Sequence, residues 1–314
     1  MANTPDRAAR LSAIDCAFRG IAILRVHGLL LVGVRLLRNL ILAVLLVASL
    51  VPPVLALGLD LWADRPRNLD EGLEWLADLA ARLAPTPKLL GAIGGMLVLW
   101  LIAGYVYCYF QAGLYGILAE ADRRVSGAAG VRPLGWQDFS GWGRARLGRY
   151  FSLANLYGAL VGGALLLALL GAGAVAAASA TWGPVAAVGI GFVALVPVFL
   201  TFLVSAVWYD LACAALAREG AGTREASRGA WKILGQRLGA VGLLLVLFAS
   251  ASMAIWLTLF PLSLLISFTT NGRPLLAFVG HGLFQLVAAV PGAVAETVFA
   301  GSWVALVRSE ALGA

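Results

Sequence analysis

The stretch VPGAVAETVFAGSW sets Glu296 inside an apolar run from Leu275 to Val307, and Glu296 is the one carboxylate well inside any such run. An ionisable group at membrane depth is expensive, so it marks proton, ion or substrate handling by default. One helical turn to either side of it lie Ala289, Gly292, Ala293, Phe299, Ala300 and Trp303. Small residues of this kind let another helix approach closely, so Glu296 is expected to face the bundle and not the lipid. Pro291 lies just ahead of it and Pro197 lies inside another apolar run. Each proline removes a helical donor and is expected to bend its span.

Other polar groups recur at helical spacing. Tyr107, Cys108, Gln111 and Tyr115 share one stripe, and Ser152, Asn155, Gly158 and Gly162 share another. Thr201 and Ser205 sit one turn apart beyond Pro197. The candidate intramembrane polar cluster is therefore Glu296, Gln111, Asn155, Ser205 and Tyr107. Read as a protonated acid, Glu296 donates a hydrogen bond to Gln111 or Asn155 and ties three helices together. That structural role leads, and proton or substrate handling is the alternative. A cationic partner such as Arg237 comes third.

Catalytic chemistry has little to draw on. There is no HExxH, no GxSxG, no phosphate-binding loop and no dinucleotide fingerprint, and no pair of acids on neighbouring helices. His27 and His281 are the only histidines, and Cys16, Cys108 and Cys213 are far apart without CxxC spacing. No metal, cofactor or disulfide framework is expected. His281 stands about 20 Å along its helix from Glu296, too far for a dyad. Glycines at GxxxG spacing, as in Gly91–Gly95, Gly158–Gly162 and Gly235–Gly239, are expected to pack helices.

These residues need elements to hold them. The 314-residue chain is 61% hydrophobic and only 12% charged, with mean hydropathy +0.90. A soluble domain is nearer half apolar and a quarter charged, so the expected class is all-α: a six-helix transmembrane bundle. A span needs about 20 apolar residues, and such runs lie near 39–59, 89–118, 151–177, 184–209, 238–268 and 277–307. The expected organisation is a segment at 1–38 with an amphipathic helix, the membrane domain at 39–307 and a tail at 308–314.

Lys and Arg gather before the first run and in the segments 119–150 and 210–237, whereas 60–88 is net acidic. Both termini are therefore expected in the cytoplasm. The net charge of +7 reads as a topology signal with attraction to anionic headgroups, and nucleic acid is not an expected partner. No signal peptide is evident, and the first span is expected to act as an uncleaved insertion signal. Trp62 and Trp182 at the outer boundary, with Trp208, Trp231 and Trp303 at the inner one, suit interfacial anchoring. Asn68 with Glu71, followed by leucines at helical spacing as far as Leu83, predicts an amphipathic outer helix.

Three basic segments echo one another: CAFRGIAILRVHGLLL, FSGWGRARLGRYFSLANL and ASRGAWKILGQRLGAVGLLL. Each combines apolar anchors with arginines and then enters an ascending span, so the bundle is expected to hold three repeated hairpins, each preceded by an interfacial helix. The stretches YFQAGLYGILAEADRRVSG, WQDFSGWGRARLGRYFSLANLY and WYDLACAALAREGAGTREASRGAWKILGQRLG resemble uncharacterised six-helix bacterial membrane families. Those families are similar to the membrane domain found with some glycerophosphodiester phosphodiesterases. The resemblance implies the six-helix architecture in a bacterial inner membrane and carries over no catalytic residue. The leading functional expectation is a non-enzymatic accessory or scaffold subunit acting through lipid and protein contacts. A small transporter or lipid-handling protein using Glu296 comes second, and an intramembrane enzyme third.

Overall fold

The structure is a computed structural model that describes residues 11–57, 87–127, 134–218, 221–269 and 274–312. Among them are seven helices and no strand: α1 (Ala13–Leu57), α2 (Pro87–Val125), α3 (Trp136–Trp182), α4 (Pro184–Leu216), α5 (Thr223–Gln236), α6 (Leu238–Thr269) and α7 (Pro274–Leu312). All but α5 are long and apolar enough to cross a membrane. Hydrocarbon offers the backbone no water, so an apolar run there must satisfy its own amides and carbonyls as a helix. The expected outer helix at 68–83 and Trp62 lie outside the described residues.

The helices outrun the expected spans. At 45 and 47 residues, α1 and α3 are each about 70 Å long, roughly twice the hydrocarbon thickness. The segments expected as separate interfacial helices in 13–38 and 136–150 are therefore the arginine-rich ends of continuous helices, and α1 has no boundary at residue 38. Only α5 is set off from its span. Arg237, with φ −123° and ψ 30°, interrupts the helical dihedrals there. Hydrogen bonds from Arg237 N–H to the Ile233 carbonyl (2.8 Å) and from Val241 N–H to the Arg237 carbonyl (2.9 Å) still bridge the break. Pro197 and Pro291 both lie inside unbroken helices.

The three echoed segments start alike. Ser12, Gly135 and Gly222 each donate a backbone N–H to the carboxylate three residues on, at 3.1 Å to Asp15, 2.9 Å to Asp138 and 3.2 Å to Glu225. An acid at this place satisfies an orphan donor and suits the positive end of the helix dipole. Four residues after each start comes a buried side chain: Cys16, Phe139 and Ala226. Eight residues after it comes a small residue: Gly20, Gly143 and Ala230. A methyl on Gly20 would strike the Val298 carbonyl oxygen of α7 and lie 2.8 Å from Ser302 Oγ, while one on Gly143 would lie 2.8 Å from the Tyr109 ring of α2. The expected GxxxG pairs are not the close approaches. Gly91, Gly158, Gly162, Gly235 and Gly239 have no described atom within 4 Å of where a Cβ would stand.

By contact the chain divides into two compact units, Met1–Leu36 with Cys108–Ala314, and Leu37–Tyr107. The first unit is packed at its arginine-rich end, where Ile23, Leu118, Phe139, Tyr150, Leu211 and Leu306 are buried. Trp208 and Trp303 belong to that core and do not anchor an interface: both are buried, and Trp208 Nε1 donates to the Ser227 carbonyl at 3.3 Å. Trp231, stacked on Trp208 with ring centroids 6.0 Å apart, and Trp182 are exposed. Toward the middle and far ends of the spans, large side chains such as Leu170, Phe192 and Leu203 face away from the chain, as lipid-facing residues do. Within the second unit, Trp100 Nε1 donates to Ser49 Oγ at 3.1 Å, and Arg38 lies over the Tyr107 ring at 5.8 Å.

Candidate functional site

Glu296 projects from the middle of α7 toward α1, and its cation is Arg35. Arg35 Nη1 donates to Glu296 Oε2 at 2.9 Å. The arginine side chain is 6% exposed and the glutamate side chain 41%. This corrects the expectation of a carboxyl without a nearby cation. It also corrects the cation named as a possible partner, because Arg237 serves elsewhere. Its Nη2 donates to the Leu11 carbonyl at 2.6 Å, and its Nε lies 3.2 Å from Glu310.

Glu296 opens onto a cavity of about 480 Å³ between α6 and α7. Gln285, Ser252 and Ser263 add polar atoms to a wall that is otherwise largely Phe, Trp, Leu, Ile and Ala. A second cavity, of about 720 Å³, lies between α1, α6 and α7. Its wall includes Ile21, Leu247, Ala251, Val294 and Phe299, with Ser302 as its one hydroxyl residue. Phe248, Ile255 and Ala295 border both cavities, and Phe248 stacks on Phe299 with ring centroids 4.2 Å apart.

The other members of the expected cluster are dispersed. Gln111 is buried on α2 beside Cys108 and Tyr115, and Ser205 is buried on α4. Asn155 is exposed, as are Ser152 and Gly158 of its stripe, so that stripe faces outward and corrects the cluster as expected. Tyr107 belongs to the second unit, beneath Arg38. Of the five residues, Glu296 alone borders the α6–α7 cavity.

Sequence reasoning missed a second carboxylate. Asp122, near the end of α2, is wholly buried and takes two arginines: Arg308 of α7 at 3.0 Å and Arg19 of α1 at 3.5 Å. Arg308 Nη1 also donates to Ser126 Oγ. Nearby, Tyr115 OH donates to Asp210 at 3.1 Å. Arg146 reaches the carbonyls of Leu216 and Arg218, where α4 ends. Cations at a helix C-terminus satisfy its orphan carbonyls and the negative end of its dipole. A signal for Asp122 was present: Tyr115, Leu118 and Ala121 set it on an apolar stripe, which ending the expected second span at residue 118 concealed.

No protein-family model, no curated protein and no solved structure matches this chain. Among the described residues no group of three or more His, Cys, Asp or Glu could hold a metal ion. The three cysteines are buried and unbridged. What the arrangement offers is a large apolar cavity beside a second one whose wall carries Glu296, the acid partner of Arg35. Such a site suits an amphipathic or acyl-bearing molecule, whose tail is held by apolar contact and whose polar part is oriented by a few fixed groups.

Proposed function

We propose that this chain is a non-enzymatic, lipid-handling protein of a bacterial inner membrane, with both termini in the cytoplasm. The orientation rests on the arginine-rich end of the bundle, and the membrane type rests on the resemblance of its basic segments to bacterial six-helix families. The observation that carries the functional reading is the apolar cavity of about 720 Å³ between α1, α6 and α7. Its volume falls within the range of about 300–1,000 Å³ usual for small-molecule sites. An acyl chain is the occupant that apolar surroundings at membrane depth would supply. This favours lipid handling over the accessory-subunit reading, and Glu296 with Arg35 is the polar feature beside the tail site.

The test is native mass spectrometry of the protein gently extracted from its own membrane, compared with Ala251→Trp, which fills the cavity wall. The reading expects a defined lipid retained by the native protein and lost from the variant. A stoichiometric partner subunit with no lipid would overturn it in favour of an accessory role. Equal lipid retention by both proteins would also overturn it.

A further inference from the structure

We propose that a pocket at the arginine-rich end, between α2, α4 and α7, binds a phosphate-bearing anion. The pocket holds about 280 Å³ and carries Arg123, Arg218 and Arg308 with Asp122 among alanines and valines. It lies away from the acyl cavity and shares no residue with it, so either reading can fail alone.

Two of the three cations have a carboxylate anchor. Asp122 Oδ2 fixes Arg308 at 3.0 Å, and Glu120 lies 3.4 Å from Arg123. Arg218 stands in the turn that closes α4. Its carbonyl accepts from Arg146 Nη1 at 2.8 Å, and its N–H donates to the Ala215 carbonyl at 3.2 Å. The Arg218 side chain itself is exposed. Ala119, Ala214 and Ala217 also line the pocket, and side chains this small leave it unfilled.

Of the residues lining this pocket three are arginines and one, Asp122, is a carboxylate, which Arg308 and Arg19 share. Guanidinium forks match phosphate oxygens in pairs, and basic pockets between membrane helices take phospholipid headgroups. A lipid phosphate and a free phosphate offer the same chemistry, and the experiment separates them.

The protein is placed in phosphatidylcholine nanodiscs and titrated with inorganic phosphate, following the melting midpoint. In parallel it is placed in nanodiscs in which about one lipid in five is phosphatidic acid, and lipid retention is read by native mass spectrometry. The variants are Arg123→Gln with Arg218→Gln, and a control of equal charge on exposed positions of α5, Arg224→Gln with Arg228→Gln. Retention of phosphatidic acid that falls about tenfold in the pocket variant and holds in the control assigns a lipid phosphate. A phosphate-dependent rise in melting midpoint that disappears only in the pocket variant assigns a free anion. If the double variant does not fold, Arg218→Gln alone is read, with an expected loss of about threefold. The proposal is overturned if neither probe separates wild type from the pocket variant. It is equally overturned if the α5 control loses as much, since binding would then follow overall charge.

Discussion

Asp122 and Glu296 are both carboxylates held by arginine, and they sit in different surroundings. Asp122 is wholly buried at the packed end of the bundle and joins three helices through Arg19 and Arg308. Glu296 lies about 18 Å further along α7, counted from Arg308. It is 41% exposed, it has Arg35 at 2.9 Å, and it borders a cavity. Packing density differs in the same way, since the buried large side chains collect around the first carboxylate and two cavities lie beside the second. The comparison separates two uses of one chemical pair. A buried, doubly paired carboxylate specifies how helices meet. A half-exposed glutamate at a cavity wall, held by a buried arginine, leaves a polar group where a ligand can reach it.

The comparison can be broken by substitution. Asp122→Asn removes the charge that two part-buried arginines share, and it should cost about 3 kcal/mol, near the lower end for breaking a buried pair, because both arginines reach some solvent. A melting curve in nanodiscs should show this as the largest loss. Glu296→Gln should cost less, about 1–2 kcal/mol, because the amide oxygen still accepts from Arg35 although that guanidinium is buried. A loss as large as that of Asp122→Asn would make Glu296 structural and remove the distinction. If the same variant leaves a proton-driven flux unchanged, proton coupling through Glu296 is excluded. Asn155→Leu should shift stability by less than about 0.5 kcal/mol, since its side chain faces outward. A larger loss would return Asn155 to the bundle interior.

The six spans were legible because an apolar run of sufficient length permits little else in hydrocarbon. The start of α3, with Asp138 three residues after Gly135, is the kind of local pattern that a sequence also displays. The partners were hidden for a physical reason. Arg35 and Glu296 are 261 residues apart, and pairing over that distance depends on which helices become neighbours, which spacing within one helix does not encode. Placing the first span at 39–59 also left Arg35 outside it, so no cation was expected at the depth of Glu296. Gly20 carries the same lesson. It is an isolated glycine without a GxxxG partner in its own helix, and its close approach is to Val298 and Gly301 on the last one.

The Asp122 network also implies an order of assembly. Arg19 precedes Asp122 by 103 residues and is already made when α2 appears, whereas Arg308 follows by 186 residues. At about 5–20 residues per second, synthesis leaves the aspartate waiting roughly 10–40 s for its second arginine. During that interval Arg19 is the one of the two arginines already made, and Arg308 on α7 completes the network afterwards.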